Sequence, residues 1–129
     1  VGSIFTKIIN REIPSHVVAE DERFIAFLDV SPLAKGHTLV VPKQEIDYIF
    51  NVPDTLLADL IVFAKVVALK VEKAVPCKRI GVSVIGLEVP HTHIHLIPIN
   101  TVSDMNFSRP KLAFSAEEMS EVAEKIRQA

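Results

Sequence analysis

Cysteine occurs once in the 129 residues, at position 77, so the chain has neither a disulfide framework nor a cysteine-based zinc cluster. No apolar run reaches the roughly 18 residues that a membrane helix needs. The start at Val1-Gly2 lacks a basic region leading into a long apolar core. No secretory signal is therefore expected, and the cytoplasm is the expected compartment. An excess of one charge is also missing: 14 basic residues stand against 16 acidic ones, a formal net charge of −2. That balance calls for neither a nucleic-acid polymer nor a membrane surface as partner. A mononucleotide stays open, because local groups rather than net charge hold so small a ligand. There are no internal repeats and no sign of a second domain. With 49% hydrophobic residues, the chain is expected to form one domain over residues 1–129 with a real core.

What is present in concentration is histidine. Three of the five histidines fall in His91-Thr92-His93-Ile94-His95-Leu96-Ile97-Pro98. If this run is extended, alternation puts His91, His93 and His95 on one face, about 6.6 Å apart from one to the next. Three rings so spread line a groove rather than converge on one atom. A neutral imidazole with one free nitrogen is a nucleophile near pH 7. Attack on phosphorus gives a labile phosphohistidine, and a neighbouring ring can stabilise phosphoryl oxygens or assist a leaving group. Two other readings of the spacing stay open. His-x-His on a strand is a common two-ligand metal pattern, and a lone buried histidine is usually structural.

The rest of the chain predicts an α+β fold. Ser3 can cap a short helix carrying Ile4, Phe5, Ile8 and Ile9, which ends before Pro14. β-rich runs at 16–21 and 24–29 flank a charged turn, and a third at 37–41 follows the Pro32 and Gly36 loop. One or two helical turns are expected over 46–50. A long helix then starts with Pro53 as its first residue and runs to about Val75. Its apolar stripe is Leu56, Leu60, Ala64, Val67 and Val71. Strands at 79–85 and 92–98 come next, then a patternless surface segment over 100–110. Ser115 to Glu118 matches a capping box that opens a last helix. The expectation is a five-stranded antiparallel sheet with one long helix and a C-terminal helix.

The histidine run resembles the triad of the HIT family, nucleotide-binding hydrolases and transferases named for His-x-His-x-His followed by two apolar residues. Thr92 departs from the apolar residue that the family prefers there. Three further stretches resemble the nucleoside phosphoramidase (Hint) branch, bacterial type. They are Ile4-Phe5-x-Lys7-Ile8-Ile9-x-x-Glu12-Ile13-Pro14, Phe27-x-Asp29-Val30-x-Pro32 and Gly36-His37-x-Leu39-Val40-Val41-Pro42-Lys43. The dinucleoside-triphosphate hydrolase branch shares the triad but starts differently.

The resemblance implies a HIT-like fold, a homodimer, a purine nucleoside monophosphate-type ligand and no cofactor. It implies His93 as the nucleophile and His95 as the residue that contacts phosphate and assists the leaving group. His91 and His37 would support the nucleophile from behind. Asp29 would accept both ribose hydroxyls, Ile4, Phe5, Phe27 and Val30 would wall the base, and the Val89 N–H would meet phosphate. The link before the triad departs from the branch: it is shorter, and Leu87-Glu88 replaces a polar pair. A Glu88 facing the site would repel additional phosphates. Some bacterial members hold zinc with two N-terminal cysteines plus histidines; Ser3 and Thr6 stand at those positions, so no metal is expected. A nucleotide-binding regulator with little turnover, a dinucleoside polyphosphate hydrolase and a metal-dependent hydrolase are the alternatives.

Overall fold

The computed structural model describes residues 2–129. Helix α1 (Ile4–Ile9) starts at Ser3, whose hydroxyl accepts the Thr6 N–H, and it buries Phe5 and Ile8. Arg11, in the left-handed region at φ 62°, turns the chain toward the sheet. Strands β1 (Val17–Glu20) and β2 (Phe24–Leu28) form a hairpin. Its turn is closed by the Asp21 carboxylate, which accepts the N–H groups of Arg23 and Phe24. Strand β3 is Thr38–Pro42. A single 3-10 turn, Ile49–Asn51, stands where one or two helical turns are expected.

Helix α2 (Asp54–Ala74) begins one residue later than expected, with Pro53 as its cap. It buries Leu60, Ala64, Val67 and Val71 of the predicted stripe, with Leu56 half-buried at the margin. Strands β4 (Arg79–Ser83) and β5 (Ile94–Ile99) follow. The 100–110 segment contains a 3-10 turn, Val102–Met105, closed by a Thr101–Asp104 capping box. Met105 packs on Gly81 so closely that a Cβ there would lie 2.5 Å from its sulfur. Helix α3 (Ala116–Gln128) opens with the Ser115–Glu118 capping box and buries Met119, Val122, Ala123 and Ile126.

The five strands form one antiparallel sheet in the order β1-β2-β3-β5-β4. Strands β2 and β3 are buried on both faces. The reason is that both faces are covered. Phe24, Ala26, Leu28, Val40, Ile94 and Leu96 pack against α2 and α3, while Ile25, Phe27, Leu39 and Val41 pack against Phe5 and Ile8 of α1. Each fully buried aliphatic side chain contributes about 2 kcal/mol to this packing. Strand alternation then decides where the chemistry lies. With Ile94 and Leu96 turned toward α2, His95 must point to the α1 side, opposite Leu39 of β3 and Ser83 of β4. No helix among the described residues is long and apolar enough to cross a membrane.

Candidate active site

The histidine run is not one extended strand. Both the N–H and the hydroxyl of Thr92 donate to the Ile46 carbonyl at 2.7 Å, which draws the segment out of the sheet until Ile94. The three rings are therefore unevenly strung. The His93 and His95 rings lie 5.0 Å apart, and both face the α1 side. The His91 ring turns inward and is completely buried.

The donors around each ring set its tautomer. The loop from Asp29 to His37 folds back through Gly36 at φ 88°, where a side chain would also strike Val75 at 2.8 Å. This turn lets the Leu33 N–H donate to His37 Nδ1 at 3.0 Å. The proton of His37 must then sit on Nε2, which donates to His95 Nδ1 at 2.9 Å. His95 in turn carries its proton on Nε2. His93 has the opposite arrangement: its Nδ1–H donates to the His91 carbonyl at 2.7 Å, leaving Nε2 with a bare lone pair. Two adjacent rings thus present one nucleophilic nitrogen and one N–H donor. His91 is fixed by Nε2–H donating to the Pro42 carbonyl and by the Ser3 hydroxyl donating to Nδ1, both at 2.7 Å.

Burial keeps His37, His95 and His91 neutral. Burial, aided by the proximity of His95 and Lys111, pushes His37 down to about 3. Burial, with His93 and Lys111, pushes His95 down to about 4. His91 is also lowered, chiefly by burial. Asp29 lies beside the pair, its Oδ2 3.6 Å from His37 Nε2 and its Oδ1 accepting the Ser31 N–H. Burial raises its pKa, and the nearby charge of Glu88 raises it further. Glu88 itself is exposed.

The predicted base wall divides in two. Phe5 and Phe27 are buried and meet edge to face at 5.5 Å, with the Phe5 ring 4.9 Å from that of His93. Ile4 and Val30 are instead 49% and 75% exposed. Val89 is half-buried against the Phe5 cluster, and its carbonyl accepts the His91 N–H. The resemblance places both His37 and His91 behind the nucleophile. In the structure the hydrogen bond of His37 goes to His95, and His91 holds His93 through its main chain.

Several neighbours carry no signal in the sequence spacing. A cleft of about 360 Å³ opens on His93, lined by Asp47, Tyr48, Phe50, Ile85 and Leu87. Phe107 packs edge to face on His95 at 4.8 Å, and Lys111 anchors that turn through the Phe107 carbonyl.

Asp29, His37 and His95 bring ligating atoms within 4.8 Å of one another. The relay argues against a metal there, since His37 Nε2 carries a proton and His95 Nδ1 receives it. Ser3 and Thr6 converge on His91 with Glu45, but the Ser3 hydroxyl already donates to His91 and the Thr6 hydroxyl to Glu45. Zinc takes thiolates in preference to neutral hydroxyls, so Ser3 and Thr6 are poor ligands for it beside His91 and Glu45.

An antiparallel sheet that carries a buried histidine cluster at the start of β5, beside a carboxylate and an apolar wall, defines a histidine-triad fold. The HIT domain family model matches residues 10–102, and the chain belongs to that family. An uncharacterized HIT-like protein of Borreliella burgdorferi is 36% identical over 95% of this chain and 94% of its own length. The adenosine 5′-monophosphoramidase hnt1 of Schizosaccharomyces pombe is 33% identical over 98% of this chain and 96% of its own. Among solved structures, a HIT-like protein from Bartonella henselae superposes with a TM-score of 0.85 at 34% identity, over 98% of this chain and 94% of that one.

Proposed function

We propose that the protein is a nucleotidyl hydrolase or transferase that cleaves purine nucleoside 5′-phosphoramidates or related nucleotidyl bonds through a covalent nucleotidyl–His93 intermediate. The observation that carries this reading is the opposite tautomers of His93 and His95. The His93 Nε2 lone pair attacks phosphorus, and the bond from phosphorus to the leaving nitrogen breaks with its electron pair going to that nitrogen. The departing amine takes its proton from solvent. The resulting N-phosphoryl imidazolium keeps its Nδ1–H on the His91 carbonyl, which stabilises the positive ring. His95 Nε2–H donates to a phosphoryl oxygen throughout. Water then attacks phosphorus, Nε2 regains its pair, and the water proton returns to solvent, so each turnover consumes one water.

Asp29 accepts the ribose hydroxyls in this reading, and Ile4, Phe5, Phe27 and Val30 receive the purine. The fission-yeast relative is an adenosine 5′-monophosphoramidase, which agrees with this substrate class. We further take residues 1–129 as one HIT domain acting as a cytoplasmic homodimer. Support for the dimer is a second apolar stripe, Val62, Val66 and Leu69, exposed on α2 beside edge strand β4 with its exposed Val82.

Mass spectrometry after brief mixing with an amine nucleoside phosphoramidate tests the reading. A nucleotidyl adduct on His93 is expected. His93→Ala should lose the adduct and several orders of magnitude in turnover while still binding nucleoside monophosphate. Near-wild-type turnover by that variant, or an adduct on another residue, overturns it.

A further inference from the structure

Helix α1 has an incomplete cap of its own. In a capping box the cap side chain accepts the N–H of the third helical residue, and an acid or amide at that position reaches back to the N–H of the cap. α3 closes its box in this way, with Ser115 and Glu118 from one short segment. In α1, Ser3 performs the first half, accepting from Thr6 N at 3.1 Å. Thr6 occupies the third position with only a hydroxyl, and the first turn contains no acid. A carboxylate from elsewhere in the chain completes the box. Glu45, on the loop after β3, accepts the Ser3 N–H and the Thr6 hydroxyl on the same Oε1, both at 2.6 Å. These bonds hold its carboxyl below the ordinary range, so it stays ionised at neutral pH.

The completed box ends on the triad. With its N–H held by Glu45, Ser3 points its hydroxyl at His91 Nδ1, while the Pro42 carbonyl grips the opposite ring nitrogen. The carbonyl of this clamped His91 fixes the proton on His93 Nδ1. α1 also carries Phe5, whose ring edge meets His91 at 5.9 Å and His93 at 4.9 Å. We propose that Glu45 is a positioning residue for His93: it caps α1 from a distant loop and, through Ser3 and His91, holds His93 in the tautomer with a free Nε2. Its effect on turnover rests on the reading of His93 as the nucleophile; its effect on the tautomer does not.

The test compares Glu45→Ala, Glu45→Gln and the double variant Glu45→Ala/Thr6→Glu, which rebuilds the box within α1. Ser115→Ala serves as a control that weakens the cap of α3 instead. The readouts are the ¹⁵N shifts of the His93 ring without substrate, and kcat and KM on a nucleoside phosphoramidate. Glu45→Ala should move the ring nitrogens toward a mixture of tautomers and lower kcat roughly tenfold, with little change in KM. Glu45→Gln, whose amide oxygen can still accept a hydrogen bond, should fall between it and wild type. Thr6→Glu in the Glu45→Ala background should restore most of the loss, and Ser115→Ala should move neither readout. Unchanged His93 shifts in Glu45→Ala, or the same kcat loss from Ser115→Ala at equal stability, overturn the proposal. Mixed tautomers with undiminished kcat support the positioning role and overturn the nucleophile assignment instead.

Discussion

Lowering the pH from 7.5 to 5 should destabilise the fold through the His37–His95 pair, and the structure sets the size of the effect. The two rings are 1% and 8% exposed, with pKa values pushed down to about 3 and about 4. A free histidine titrates near 6.5. The unfolded chain therefore takes up protons before the folded one does. The contribution of each ring is fully present above about pH 6.5 and is lost as the pH falls toward the folded value. Each unit below 6.5 costs about 1.4 kcal/mol per ring, so at pH 5 one ring accounts for about 2 kcal/mol. The pair together accounts for at most about 4 kcal/mol, because the rings share one hydrogen bond. His91 acts in the same direction. Asp29 acts in the opposite one, since its raised pKa lets the folded state bind a proton first as the pH drops toward the carboxylate range. Urea unfolding at pH 7.5, 6.5, 5.5 and 5.0, each on the order of half to one unit apart, measures the loss directly. A stability that is flat across this range, or a His37 ring signal titrating near 6.5, would refute the assignment of neutral buried rings.

Three further outcomes follow from the site and the surface. Asp29→Ala should weaken ribonucleotides by about 1.5–3 kcal/mol, the worth of a charge-assisted hydrogen bond, and deoxyribonucleotides far less. Equal loss in binding titrations of the two sugars means that Asp29 does not read the ribose. Glu88→Gln should raise the specificity constant for a dinucleoside polyphosphate relative to a lysine-type phosphoramidate, since the Glu88 charge reaches Asp29. An unchanged ratio means that it points harmlessly into solvent. Light scattering at micromolar concentration should give a dimer mass for the wild type and a monomer mass for Val66→Asp; a monomeric wild type counts decisively against the dimer.

The local grammar of the chain is legible in its sequence. Ser3 and the Ser115–Glu118 box start their helices, and the stripe through Leu60, Ala64, Val67 and Val71 is the face that α2 buries. These features depend on residues within a turn or two of each other, so periodicity and capping chemistry suffice to find them. The bond that orients His93 is also local, two residues back along the chain, but a strand expected over 92–98 gives no hint of it. Only the tertiary structure placed β5 between β3 and β4, and with it the pairing of His95 with His37, 58 positions away. The same holds for Glu45 on Ser3, His91 on Pro42, and Phe107 over His95. Thr92 shows the difference in a single residue. Its alternation with the histidines predicts a strand, but the Ile46 carbonyl, 46 positions away, takes its N–H and hydroxyl and delays the strand to Ile94. Spacing along the chain specifies which face a side chain takes. It does not encode which distant main-chain group will meet that side chain, because that depends on how the packed sheet closes the loops between them.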